Sequence, residues 1–159
     1  MRTRGFTLIE VLVVIVIMGV TSTAVVFSIE GIRSRSDANE LQRLRLVLEL
    51  AGERAAVTGT PISVQFLPDH YRFSTLAMDG SWRLIQQGDS LAERKMPEGF
   101  AIEKIIVNGR AVAASAALVL NTEMPDFEIH VRTPENQRIL RSHPEGSVSL
   151  DLPAQGSGS

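Results

Sequence analysis

Met1-Arg2-Thr3-Arg4-Gly5-Phe6-Thr7-Leu8-Ile9-Glu10, running into an apolar stretch from Val11 to Val20 broken only by Gly19, is the segment that decides the fold. Thr21-Ser22-Thr23 and Ala24-Val25-Val26-Phe27-Ser28-Ile29 extend it. From Phe6 to Ile29, 17 of 24 residues are apolar, and Glu10 is the only charge. As a helix, the segment measures roughly 36 Å at about 1.5 Å per residue, against a hydrocarbon core about 30 Å thick. Glu30, Arg33 and Arg35 mark where such a span must end. Arg2 and Arg4 hold the N-terminus on the cytoplasmic side. A cleaved secretory signal peptide fits part of this pattern, with Thr21-Ser22-Thr23-Ala24 as its small-residue cut site. A plain uncleaved anchor fits it too. Glu10 argues against both, because a carboxylate inside an apolar span costs about 2.5–3.5 kcal/mol on insertion scales. An acid kept there at that cost needs a partner and a task.

The order of these residues carries a resemblance. A basic leader, then Gly5-Phe6-Thr7-Leu8-Ile9-Glu10, then an apolar helix resembles the class III signal of type IV pilins and type II secretion pseudopilins. The resemblance implies that a prepilin peptidase cuts after Gly5. It implies that Phe6 becomes the N-methylated first residue, and that Glu10 is the acid used in assembly, neutralising the N-terminus of a neighbouring subunit. Cutting at Gly5 also exposes an amino group four residues from Glu10, so pairing within one chain stays open. The chain departs from the family pattern at Phe27, where these pilins often carry proline. Gly19 is present, but no proline occurs before Pro61.

Beyond the apolar span, residues 30–58 read as an amphipathic continuation of the same helix. Leu41, Leu44, Leu48, Ala51 and Ala55 recur at spacings of three and four, which places them on one face. Leu46, Val47 and Leu50 are expected to widen that stripe, while Arg43, Arg45, Glu49, Glu53 and Arg54 fall mainly off it. Ser36, Asp37 and Glu40 read as polar positions within the continuous helix. Thr58-Gly59-Thr60-Pro61 ends it, with glycine for a left-handed cap and proline to forbid continuation.

After Pro61 the period shifts to two. Residues 60–152 read as a β-rich domain of roughly eight strands on one antiparallel sheet. Ile62, Val64 and Phe66 alternate with Ser63 and Gln65; Tyr71, Phe73 and Thr75 begin a second run. Asp79-Gly80 turns the chain into Trp82-Arg83-Leu84-Ile85, and Asn108-Gly109 follows a strand over 102–107. Residues 117–120, 127–131, 138–140 and 148–152 complete the set. Residues 89–99 read as a long polar loop, and 153–159 as a disordered tail with nothing to bury. The whole is an α+β, pilin-like layout: a long N-terminal helix whose second half packs on antiparallel strands.

The 159 residues carry a net charge of −2, with no cysteine. Removing Arg2 and Arg4 with the leader leaves 14 basic residues against 18 acidic ones, a net −4. That balance speaks against nucleic-acid binding through overall charge. The missing cysteines exclude disulfides, thiolate metal sites and thiol nucleophiles. Asp126, Glu128 and His130 share one face of a strand and form the one candidate metal triad, although a solvated strand face explains the same spacing. His70 and His143 read as surface loop residues, and Arg43 with Arg45 as a solvated basic pair. No Gly-x-Ser-x-Gly elbow and no phosphate-binding glycine loop occurs.

Leu118 to Ile129 resembles the late strand pair of minor pseudopilins of the H type. The family implies a structural subunit, not an enzyme, with no cofactor and no metal. It would cross the bacterial inner membrane once through residues 6–29, with the N-terminus cytoplasmic and the remainder periplasmic. It would sit at or near the tip of a pseudopilus that helps export folded proteins across the outer membrane. Implied partners are other minor pseudopilins, the major pseudopilin, prepilin peptidase, inner-membrane lipid, and an exported substrate or the outer-membrane secretin. A minor type IV pilin, used in pilus priming or DNA uptake, is the alternative within the family. A membrane-anchored periplasmic binding or catalytic domain is the alternative from another class.

Overall fold

The computed structural model describes residues 8–153, and of these the side chains of 8–18 and 37–153. The leader with Gly5, the neighbouring Phe6, and residues 154–159 of the expected tail lie outside the described residues. The chain divides into two units, residues 1–36 and 37–159.

Helix α1 spans Leu8–Thr58. Within the second unit its face of Leu41, Leu44, Leu48, Ala51 and Ala55 is buried, as the spacing predicts, and Val47 joins it. Leu46 does not: it is 52% exposed. It lies two residues from both Leu44 and Leu48, about 200° around the helix from each, so it cannot share their face. Asp37 and Glu40, read as ordinary polar positions, are buried. The helix stops where Gly59 takes a left-handed φ of 64°, a conformation that costs glycine little. The Thr58 hydroxyl donates to the Arg54 carbonyl at 2.7 Å and accepts from the Thr60 N–H at 3.3 Å, closing the last turn.

Ten strands follow: β1 (Ile62–Phe66), β2 (His70–Leu76), β3 (Trp82–Leu84), β4 (Arg94–Lys95), β5 (Ala101–Val107), β6 (Arg110–Val112), β7 (Leu118–Leu120), β8 (Phe127–Arg132), β9 (Gln137–Ser142) and β10 (Val148–Asp151). The short β4 and β6 go beyond the eight expected. β4 lies inside the stretch expected to be a loop, and that stretch also buries Leu91 completely. The single sheet expected from the pattern is in fact two, both antiparallel. The first is ordered β3-β2-β1-β7, with β4 also pairing to β2; the second is β10-β9-β8-β5-β6.

The chain passes to the second sheet at β5 and returns to the first at β7, where Leu118 and Leu120 stand opposite Val64 and Ile62. It then crosses back for good at β8. Alternation identifies a strand's buried face but does not name its neighbour, so this crossing pattern is not encoded locally.

One core unites the inner faces. Leu44 and Leu48 of α1 pack in a single cluster with Val64, Phe73 and Leu120 of the first sheet and Ile105, Ile129 and Leu140 of the second. Tyr71 meets Phe73 edge-on, with ring centroids 6.1 Å apart. Gly52 lets the loop joining β7 to β8 lie directly on the helix: a Cβ there would stand 3.1 Å from Met124 Cε. Ser142, buried at the end of β9, accepts the Phe127 N–H at 2.7 Å and donates to the Pro125 carbonyl at 2.9 Å.

Candidate functional site

In the first unit, every described side chain from Leu8 to Met18 is exposed. Leu8 is 83% exposed, and Ile9, Ile15 and Met18 each exceed 60%. A helical stretch whose apolar side chains are exposed is built to be covered, by lipid or by another helix. Glu10 stands among these residues as the only charge from 8 to 18, and it too is exposed. Its carboxylate is therefore presented outward on an apolar rod, the arrangement that suits capture of a cation in a low-dielectric setting. Gly5 and Phe6, the expected cleavage pair, lie outside the described residues. Among the described residues, no helix is long and apolar enough to cross a membrane. The described side chains of the expected 6–29 span stop at Met18.

In the second unit, three carboxylates tie α1 to the sheets and loops. Glu40, 7% exposed, accepts the Tyr71 hydroxyl at 3.0 Å and Arg94 Nε of β4 at 3.1 Å. Glu49 accepts the Val148 N–H of β10 and Arg45 Nη1, both at 2.8 Å. Arg54 reaches both oxygens of Asp89, at 3.0 and 2.9 Å, and Asp89 also caps the Leu91 N–H at 2.9 Å. The Arg54 guanidinium first, and then the Leu91 N–H, hold the Asp89 carboxyl below the usual carboxylate range. Arg45 is thus part of a tie to β10, not half of a free basic pair.

Burial, and then the neighbouring Glu40 carboxylate, push the pKa of the Tyr71 hydroxyl upward. Raising the pH through the ordinary tyrosine range ionises the unfolded chain first, so the folded state holds the extra proton and loses stability. The expected slope is up to about 1.4 kcal/mol per pH unit above pH about 10. Tyr71 is the only tyrosine in the chain. Its ultraviolet absorbance should therefore shift to the tyrosinate form only as the protein unfolds, and Tyr71→Phe should flatten that slope. A tyrosinate signal from folded protein at ordinary tyrosine pH would contradict the burial of Tyr71 beside Glu40.

The candidate metal triad is not assembled. Glu128 and His130 share the outward face of β8, but Asp126 lies before the strand begins. Glu128 is held by Arg141 Nε at 2.9 Å and stands 3.5 Å from His130 Nε2. Among the described residues, no group of three or more His, Cys, Asp or Glu side chains could hold a metal ion. His70 Nδ1 lies 2.6 Å from Asp69 Oδ1 beside a turn, and this hydrogen bond lowers the Asp69 pKa. His143 closes the β9–β10 turn through its backbone, accepting the Gly146 N–H and donating to the Ser147 carbonyl, each at 2.9 Å.

A groove of about 840 Å³ runs between α1 and the loops after β7 and β9, edged by Glu49, Glu53, Glu123 and Glu145. Two of these acids have structural work: Glu49 in the tie to β10, and Glu145 in accepting the Ser147 hydroxyl at 3.1 Å. Sequence reasoning read Glu40 as an ordinary polar position and missed its buried tie to Tyr71 and Arg94. Its only signal was a carboxylate one residue from Leu41, at the edge of the buried stripe.

Residues 1–26 match the prokaryotic N-terminal methylation motif. The type II secretion system protein H of Klebsiella pneumoniae is 35% identical over 82 residues, 51% of this chain and 48% of that protein. The protein H of Pectobacterium carotovorum is 24% identical over 127 residues, 70% of this chain and 68% of that protein. The chain thus spans about half the length of the Klebsiella relative it matches. The structure of the minor pseudopilin EpsH from the Type 2 Secretion System of Vibrio cholerae superposes with a TM-score of 0.55 at 18% identity, over 75% of this chain and 98% of that one. The α+β fold is therefore that of a minor pseudopilin, with a helix packed on antiparallel sheets.

Proposed function

We propose that this chain is a minor pseudopilin of the type II secretion system, similar to protein H. It is a structural subunit of the periplasmic pseudopilus, not an enzyme. The observation that carries the reading is the exposed apolar helical stretch Leu8–Met18 with Glu10 as its only charge, inside the residues 1–26 that match the methylation motif. The fold of the second unit and the relatives named protein H support it. In this role, prepilin peptidase cuts after Gly5 and methylates Phe6. Residues 6–29 anchor the chain in the inner membrane, and the second unit lies in the periplasm. Glu10 then offers its carboxylate to the amino terminus of an adjacent pseudopilin, a pairing far more favourable in lipid than either charge alone. The subunit's neighbours are other minor pseudopilins and the major pseudopilin, at or near the tip, where a substrate or the secretin comes within reach.

Processing tests the reading first. Arginine for Gly5 puts a long cationic side chain where the peptidase needs glycine, so Gly5→Arg should leave the precursor uncut. The precursor and mature forms separate by mobility on a gel of membrane-extracted protein. Full conversion of Gly5→Arg to the mature form would remove the basis for the assignment.

A further inference from the structure

We propose that the open edge of the first sheet, at β3, is a docking strand for an extended, acid-bearing segment of another protein, which adds a strand alongside Trp82 and Leu84. The hydrogen bonds already made define the edge. The Ile85 N–H donates to the Phe73 carbonyl at 2.9 Å, and the Ser81 carbonyl accepts the Ala77 N–H at 2.8 Å. In an antiparallel ladder the bonded residues alternate, so 81, 83 and 85 turn their backbone groups toward β2. Trp82 and Leu84 turn theirs away. The other side of β2 is taken by β1, and β3 ends the sheet.

The side chains on this edge suit a protein partner. Trp82 and Leu84 are 45% and 47% exposed and share one face, with Leu76 opposite Trp82 in register. An exposed tryptophan flanked by apolar neighbours is the composition of a binding hot spot. Exposed sheet edges are normally blunted by brevity, charge, proline, a bulge or a covering segment, and β3, three residues long, relies on its length and the charge of Arg83, which a partner bearing an acid satisfies. Arg83 projects to the opposite face, and its pair with Asp79 at 2.9 Å is exposed on both sides and therefore weak. The exposed Lys95 of β4 lies along the same side of β2. The edge thus carries two cations, Lys95 and the Asp79-paired Arg83, beside an apolar face.

That charge selects the occupant. A second copy pairing β3 with β3 in the register that matches Trp82 to Leu84 twice would set Arg83 directly against Arg83, and like charges so placed repel. A segment that alternates apolar, acidic, apolar meets Trp82, Arg83 and Leu84 without that conflict. The edge belongs wholly to the second unit and does not depend on what the apolar helix assembles with.

Trp82 is the only tryptophan in the chain, so its emission reports the edge directly. The test titrates the full chain in lipid nanodiscs with the synthetic peptide Thr-Val-Glu-Val-Thr and with its lysine-centred counterpart. A saturable blue shift is expected with the glutamate peptide, and binding about tenfold weaker with the lysine peptide. Arg83→Glu should reverse that preference. Leu84→Pro removes an N–H that the ladder turns away from β2, and should abolish binding while leaving the far-ultraviolet spectrum unchanged. If Leu84→Pro fails to fold, the Arg83→Glu reversal decides. No saturable shift with either peptide, equal binding of both, or undiminished binding by folded Leu84→Pro would overturn the proposal. So would a shift that follows protein concentration without peptide, which would identify a second copy as the occupant.

Discussion

A Glu10→Val chain is expected to be cut and methylated normally and yet to leave secretion at the level of cells lacking the subunit. The reason is a difference in sign between anchoring and assembly. A carboxylate inside an apolar span costs about 2.5–3.5 kcal/mol, so valine would hold a lone anchor more firmly in the bilayer. What valine removes is the attraction for a cationic amino terminus on a neighbouring helix. If the apolar helix were only an anchor, Glu10→Val would be neutral or favourable. If it assembles, the substitution is disabling although nothing else on the exposed Leu8–Met18 face has changed. The measurement is the amount of folded exoprotein in the medium, with the mature form quantified in the same cells. Unimpaired export by a correctly processed Glu10→Val chain would show that the acid has no part in assembly.

The second large effect lies in the domain. Leu48→Ala should destabilise the second unit by about 3 kcal/mol, the cost of a cavity where α1 meets both sheets. Leu48 is fully buried among Val64, Leu120, Ile129 and Leu140 of the same cluster. Leu46→Ala, the same chemical change two residues away, should alter stability by no more than about 0.5 kcal/mol, because its side chain is on the solvent side. Thermal unfolding of the detergent-solubilised full chain, followed by the emission of Trp82, measures both. Equal losses would mean that the buried face of α1 is wrongly placed.

The contrast between those two leucines shows how far the sequence could be read. Leu41, Leu44, Leu48, Ala51 and Ala55 were legible because the helical period places them on one face. Leu46 was misread because any leucine beside a stripe invites inclusion, and the angular test excludes it. The N-terminal motif was legible for a different reason: an acid in an apolar run is costly, and the order of residues from Gly5 to Glu10 gave it a context that the match over residues 1–26 shares. Glu40 was not legible, since its two partners, Tyr71 and Arg94, lie 31 and 54 residues away. The two sheets were not legible for the same reason. The strands β1 and β7 pair in an antiparallel ladder that sets Ile62 and Val64 opposite Leu120 and Leu118, yet they lie more than fifty residues apart in the chain. The two-residue β4 was hidden in a charged stretch because it is too short to show a period. Asp126, Glu128 and His130 shared a spacing that suggested one face, but the strand begins at Phe127, after the aspartate.

The most direct test of the central claim is the chemistry of the mature amino terminus. The full chain, extracted from membranes of cells that carry the secretion system, should give an intact mass lacking residues 1–5 and bearing one added methyl group. Its N-terminal sequencing should begin at N-methylated Phe6. A chain that begins at Met1, or one cut after Ala24, would contradict the assignment as a pseudopilin.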